Sequence, residues 1–188
     1  PCSPVQPSGA ALAQAREWLQ TAERPLAIIG LDVLTGGGSS IARAFVEHFG
    51  IPTITTYKAK GVLPEDHPLA LGGAGLSPLA DGHLLPLVRQ ADTIFLIGYD
   101  PIEMRATLEV LASGIPARRT WSGGEPGEVK AALGRAFTAG DDWGPAAAIE
   151  EARAVLPADT LATADSGAHR ILLSQMWECP EPKALVQS

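Results

Sequence analysis

Apolar residues at Leu12, Ala15, Trp18 and Leu19 recur every three or four positions, which predicts a helix over 10–22 with one face toward a core. Pro25 ends it, and the apolar run over 26–29 reads as a short buried strand. Gly30 and then Gly36, Gly37 and Gly38 break the pattern. Ser39 and Ser40 stand next as N-caps of a helix carrying Ile41, Ala44, Phe45 and Phe49 on one side, and Gly50 closes it. Residues 51–55 are rich in β-branched side chains and predict a second strand, whereas 57–78 holds so much Gly and Pro that it reads as loop. A helix over 79–90 leads into 93–97, the clearest buried strand. The pattern then repeats more weakly: helix over 102–112, strand over 117–121, helix over 125–137.

Strands alternating with helices at this spacing imply an α/β fold, a Rossmann-like doubly wound parallel sheet with helices on both faces. The pattern changes after Gly140. Residues 141–145 read as a linker, 146–155 as a helix, 161–164 as a strand, and 167–177 as a helix opening on Asp165 and Ser166. The tail, with Pro180 and Pro182, shows no continuation. One strand between two helices buries too little to stand alone, so this piece is expected to lean on a partner or on further chain. The expected organisation is a linker over 1–9, a Rossmann-like domain over 10–140, a short and incomplete linker over 141–145, and a partial second α/β domain over 146–188.

Composition narrows the function classes. The chain has 188 residues, 46% hydrophobic and 19% charged, enough for one domain with a core and part of another. With 14 Lys+Arg against 21 Asp+Glu the net charge is -7, and no basic run offers the surface that nucleic acid demands. The apolar runs over 25–29 and 93–97 stop far short of the roughly 20 residues a membrane helix needs. Cys2 and Cys179 lie near opposite ends, so neither a disulfide framework nor a zinc site is expected, and a reducing, cytoplasmic setting fits. The Pro- and Ser-rich start resembles an interdomain linker rather than a signal peptide, which suggests a piece of something longer.

Chemistry concentrates where strands end. A glycine-rich turn between strand and helix can bring backbone N–H groups against a phosphate, and the stretch from Gly30 to Ser40 has that layout, although as a flexible loop it would look the same. It lacks the three spaced glycines of the dinucleotide fingerprint, and no acidic residue ends the second strand to hold a ribose. Ligands of open α/β sheets lie beyond the carboxyl ends of strands, which assigns the loops 30–39, 56–75 and 98–105 to any such site. Arg105 could pair with a diphosphate there or with Glu109 one helical turn on. Lys58, Lys60, Glu65, Asp66 and His67 read as a solvated loop. No Ser-His-acid triad and no acid–base carboxylate pair stands out. His169, following a strand that ends at Asp165, could donate to a phosphate oxygen or simply sit exposed.

Several segments together resemble one family. Arg24-Pro25-Leu26-Ala27-Ile28-Ile29-Gly30, Gly50-Ile51-Pro52-Thr53, Lys60-Gly61-Val62-Leu63-Pro64, Gly72-Gly73-Ala74-Gly75 and Ala91-Asp92 are similar, in that order, to the middle domain of acetolactate synthase-like, thiamine diphosphate-dependent enzymes. Pro157-Ala158-Asp159-Thr160 with Thr163-Ala164-Asp165-Ser166-Gly167-Ala168-His169 resembles the start of their diphosphate-binding domain. The resemblance implies a three-domain homodimer or homotetramer that binds thiamine diphosphate and Mg2+, decarboxylates or cleaves a 2-oxo acid and passes the fragment to an acceptor. It places Gly167, Ala168 and His169 near the cofactor's diphosphate. In flavin-containing members the middle domain holds FAD, and Gly30, Gly36, Gly37, Gly38, Gly73, Gly75, Gly98 and Arg105 match those positions.

The catalytic glutamate and the metal-binding segment belong to parts of the family that these 188 residues do not match. The chain is therefore expected to be inert on its own, with no catalytic or metal residue, and segments are expected to be missing after Arg105 and near Gly144. Two alternatives accompany the carboligase reading: a decarboxylase or lyase of the same family, and a stand-alone nucleotide- or FAD-binding module.

Overall fold

The computed structural model describes residues 7–35, 37–99, 104–140 and 142–187. Helix α1 (Ala10–Thr21) precedes strand β1 (Pro25–Ile29), and a single 3-10 turn, Leu31–Leu34, leads to α2 (Gly38–Phe49). Strand β2 (Thr53–Thr56) and a second 3-10 turn (Tyr57–Ala59) come next. They are followed by β3 (Ala70–Ala74), α3 (Pro78–Gln90), β4 (Thr93–Ile97), α4 (Met104–Ala112) and α5 (Glu125–Ala136).

The four strands form one parallel sheet in the order β3-β2-β1-β4. Ala27 pairs with Thr53 on one side of β1 and with Phe95 on the other. Side chains alternate across β1, so each face has its own core. Ala27 and Ile29 pack with Phe45, Val46, Ile51 and Leu108 beneath α2 and α4, while Leu26 packs with Ile54, Leu71, Leu84, Trp121 and Leu133 beneath α3 and α5. Helices on both faces of a parallel sheet make the doubly wound, Rossmann-like fold the sequence pattern implies. The cover stops at β4, whose Ile94 and Leu96 are 42% and 65% exposed.

Three elements before Gly140 differ from the sequence pattern. Residues 70–74 form a strand despite three Gly in and beside it, because pairing with β2 overrides propensity. Here Gly73 has a use: a Cβ on it would lie 2.6 Å from the Tyr57 ring, which needs that space. Residues 117–121 form no strand. Ile115 belongs to one core and Trp121 to the other, so this stretch carries the chain from face to face. Trp121 anchors the crossing by donating from its backbone N–H to the Glu23 carbonyl at 2.9 Å and from Nε1 to the Pro25 carbonyl at 2.6 Å. Helix α2 starts on Gly37, at φ +76°, rather than on a serine cap. The hydroxyls of Ser39 and Ser40 turn back instead, to the carbonyls of Val33 and Gly37. Gly50 ends α2 in the left-handed conformation, as its position suggests.

Past Gly140 the chain forms α6 (Pro145–Val155), β5 (Ala162–Ala164), α7 (Ala168–Met176) and β6 (Leu185–Gln187). The tail thus does continue: β6 pairs in parallel with β5, Thr163 opposite Val186. Trp177, Cys179, Ala184 and Leu185 form a small core with Ile149 and Leu173. This piece leans on the first sheet through a buried ion pair. Lys60 Nζ lies 2.8 Å from Glu65 Oε1 and also donates to the Ser174 carbonyl at 2.5 Å, while Glu65 Oε2 accepts from the Cys179 N–H at 3.1 Å. Lys60, 3% exposed, is therefore no part of a solvated loop. The tail also passes so close to Gly61, at φ +81°, that a Cβ there would lie 2.0 Å from the Glu181 carbonyl oxygen.

Candidate nucleotide crevice and diphosphate turn

The strand order places the switch point of the sheet between β1 and β4, where successive connections leave in opposite directions and a crevice opens. Two glycines make that crevice. Gly30 donates from its N–H to the Ile97 carbonyl at 2.7 Å, and a Cβ on Gly30 would stand 2.5 Å from the Gly98 carbonyl oxygen. Gly98 itself is at φ +75°, where a Cβ would meet Val33 Cγ1 at 2.6 Å. The strands can part this closely only without side chains at both positions.

The resulting cavity, about 380 Å3, is lined by Gly30 and Asp32 after β1, Thr56, Tyr57 and Lys58 after β2, Gly75 after β3, and Gly98 and Tyr99 after β4. Arg170 of α7 and Gln187 of β6 close its side. The volume lies within the range of small-ligand sites. Its lining suits a phosphate-bearing nucleotide. Lys58 and Arg170 bring positive charge, Asp32 an acceptor for hydroxyl groups, and the two tyrosines flat apolar faces. Thr56 Oγ1 is buried without a hydrogen-bond partner, a polar atom that a ligand would satisfy.

Of the glycines singled out from sequence, Gly30, Gly75 and Gly98 meet in this crevice. Gly73 stands behind Tyr57, inside β3. Gly37 and Gly38 lie at the start of α2, where a Cβ on Gly38 would be 2.9 Å from the Val33 carbonyl oxygen, so close backbone packing explains that glycine. Gly36 lies outside the described residues. Arg105 pairs with Glu109 at 3.5 Å on an exposed helix face, the second of the two roles open to it. Asp32, Tyr57 and Tyr99 carry no individual signal in the sequence and Lys58 reads there as solvated loop, although all four fall in the carboxyl-end loops. The acidic residue of the crevice, Asp32, stands after β1 and not after β2. Arg170 and Gln187 reach the crevice only through the docking of α7 and β6, which no local pattern reveals.

The second group of residues lies where β5 gives way to α7. Gly167, at φ +156°, precedes Ala168 and His169, whose Nε2 is 3.0 Å from Asp165 Oδ1. A Cβ on Gly167 would be 2.6 Å from the imidazole Cε1, so this glycine seats the histidine ring. Both partners of the Asp165–His169 pair are largely exposed, and the turn presents one wall, with an imidazole and helix N–H groups, of the kind a diphosphate contacts. Among the described residues no group of three or more His, Cys, Asp and Glu side chains is placed to hold a metal ion.

A second cavity, about 490 Å3, separates α5 from α6 and α7. Lys130 on its wall donates to the carbonyls of Glu65, His67 and Ala70 at 2.7, 2.9 and 2.8 Å. Burial lowers its pKa, opposed by the negative charges of Glu65, Asp66 and Glu178. This amine is a tie for the loop before β3.

The sequence profile of the thiamine pyrophosphate enzyme central domain matches residues 12–117, more than half of the chain. The probable acetolactate synthase large subunit of Methanocaldococcus jannaschii is 34% identical over 85 residues, covering 45% of this chain and 14% of that protein. The acetolactate synthase large subunit of Mycobacterium tuberculosis is 31% identical over 119 residues, 63% of this chain and 21% of that protein. The 3D-(3,5/4)-trihydroxycyclohexane-1,2-dione hydrolase of Lacticaseibacillus casei is 32% identical over 94 residues, 50% of this chain and 14% of that protein. The matches thus span between 14% and 21% of these relatives' lengths.

Proposed function

This chain belongs to the thiamine pyrophosphate enzyme central-domain family, with acetolactate synthase-like relatives, and from that premise we propose that it is a portion of a thiamine diphosphate-dependent 2-oxo acid decarboxylase or carboligase. Residues 10–140 are its middle domain, 141–145 a linker, and 146–188 the beginning of its diphosphate-binding domain. The separate small core around Trp177 supports that division.

The observation that supports the proposal most is the crevice at the β1/β4 switch point with Arg170 of α7 in its lining, because it brings a cavity with phosphate-binding chemistry next to the helix that starts at the Gly167–His169 turn. Thiamine diphosphate, when bound, supplies the carbanion chemistry that 2-oxo acid cleavage requires. The part of this chain is to offer Gly167, Ala168 and His169 to the diphosphate and to hold FAD in the crevice. Acid–base groups and the Mg2+ ligands come from outside these residues, so the chain alone turns nothing over. The complete enzyme works as a homodimer or homotetramer. The hydrolase among the relatives favours a second reading, in which the same scaffold serves a cleaving rather than a ligating enzyme.

The test is pyruvate consumption by the purified chain with thiamine diphosphate and Mg2+. No turnover is expected, and turnover that scales with protein concentration would overturn the division of labour proposed here.

A further inference from the structure

Helix α7 touches both groups of residues. Its first turn carries His169 against Gly167, while the next residue, Arg170, already lines the crevice, the two side chains pointing about 100° apart around the helix. Further along, Gln175 Nε2 donates to Tyr57 Oη at 2.8 Å and to the Gly73 carbonyl at 3.0 Å. Tyr57 in turn forms crevice wall, its ring occupying the space a Cβ on Gly73 would need. Between these points, the Ser174 hydroxyl donates to the Arg170 carbonyl at 2.6 Å and accepts from Gln187 Nε2 at 2.7 Å, and Gln187 is again crevice wall. Three crevice side chains, Arg170, Tyr57 and Gln187, are thus bonded to or part of one nine-residue helix.

A helix of that length holds its shape through packing and not by itself. Of its residues only Ser174 is fully buried, so the polar ties to Tyr57, Gln187 and Lys60 supply much of what keeps α7 in place. A ligand that fixes Tyr57 and Arg170 fixes the partners of α7 as well. Linkage is reciprocal: whatever orders the helix then favours the ligand by the same factor.

We propose that filling the crevice orders α7 and its Gly167–His169 turn, through Tyr57–Gln175 and Arg170, so that a nucleotide in the middle domain prepares the diphosphate contact. The inference rests on the reading of the crevice as a nucleotide site. A scaffold without such coupling would show the same contacts, yet α7 would be indifferent to ligand.

The experiment is hydrogen–deuterium exchange over 168–176 in the full 188-residue chain, free and saturated with FAD, with ADP as the smaller probe and calorimetry to establish binding. FAD is expected to slow exchange there about fivefold or more. In Gln175→Met, which keeps length and helix propensity but removes the donor, most of the protection is expected to be lost and FAD to bind about fivefold more weakly, the same factor by linkage. Binding of FAD with unchanged exchange over 168–176 would overturn the coupling and leave the crevice reading intact. Absence of binding by both FAD and ADP would overturn the crevice reading and the coupling with it. Full protection in Gln175→Met would overturn the assigned route, and Gln175→Ala repeats that arm should the methionine variant fail to fold.

Discussion

A Cβ on Gly30 would stand 2.5 Å from the carbonyl oxygen of Gly98, so these two glycines, 68 positions apart in sequence, set the width of the crevice between β1 and β4. Gly98 carries a second constraint in its φ of +75°. Gly98→Val is therefore expected to destabilise the fold by roughly 2–4 kcal/mol, combining left-handed strain with the clash on Val33. Gly30→Ala should be milder in stability, about 1–3 kcal/mol, and should still narrow the crevice. Urea denaturation measures both, and a Gly98→Val variant as stable as wild type would contradict the close approach.

The Lys60–Glu65 pair is the other point on which the two halves depend. Replacing Lys60 by Met leaves the Glu65 carboxylate partly buried without its cation and removes the bond to the Ser174 carbonyl. A loss of about 3–5 kcal/mol is expected, with faster exchange over 179–187. Replacing both by apolar residues should be less harmful than Lys60→Met alone.

Cys179 supplies a prediction on pH. Burial, reinforced by the Glu65 charge, raises its pKa from 9.0 to about 12. Between those values the folded state keeps a proton that the unfolded state has released. The stability contributed is thus present below pH 9 and is lost as pH rises from 9 toward 12. In a Cys2→Ser background, thiol titration at pH 8 should find Cys179 at least about a hundredfold less reactive in native protein than in denaturant. Denaturant midpoints should fall between pH 9 and 10.5 more steeply in that protein than in a Cys179→Ala version.

Lys130 argues the opposite sign. Its lowered pKa means that the folded state sheds a proton before the unfolded state does. This group's contribution to stability therefore rises as pH climbs from its lowered pKa toward 10.5. Lys130→Met removes the buried charge but orphans three carbonyls, and the net expectation is a destabilisation of about 1–3 kcal/mol by urea denaturation.

These relationships show where sequence suffices. The 3.6-residue rhythm of Ile41, Phe45 and Phe49 and the stop at Gly50 are local, and α2 forms where they imply. The alternation of helix and short apolar strand was enough for the fold class. β3 was not legible, since Ala70–Ala74 has glycines that look like loop and becomes a strand only beside β2. β6 was hidden for the same reason, its partner β5 lying more than twenty residues earlier. Gly30 and Gly98 were legible as candidates because both follow apolar strands. Their mutual contact, the burial of Lys60 and the arrival of Arg170 and Gln187 depend on tertiary docking, which carries no local signature.

The central claim is that the β1/β4 crevice is a nucleotide site within a thiamine diphosphate enzyme's middle domain. Calorimetric titration of FAD into the intact chain and into Gly30→Val tests it most directly. The account predicts micromolar binding to the intact chain, with affinity reduced at least tenfold in a Gly30→Val protein that remains folded, about 1.4 kcal/mol or more. Absence of any heat from the intact chain at FAD concentrations up to about a millimolar, or equal affinity in the two proteins, would contradict it.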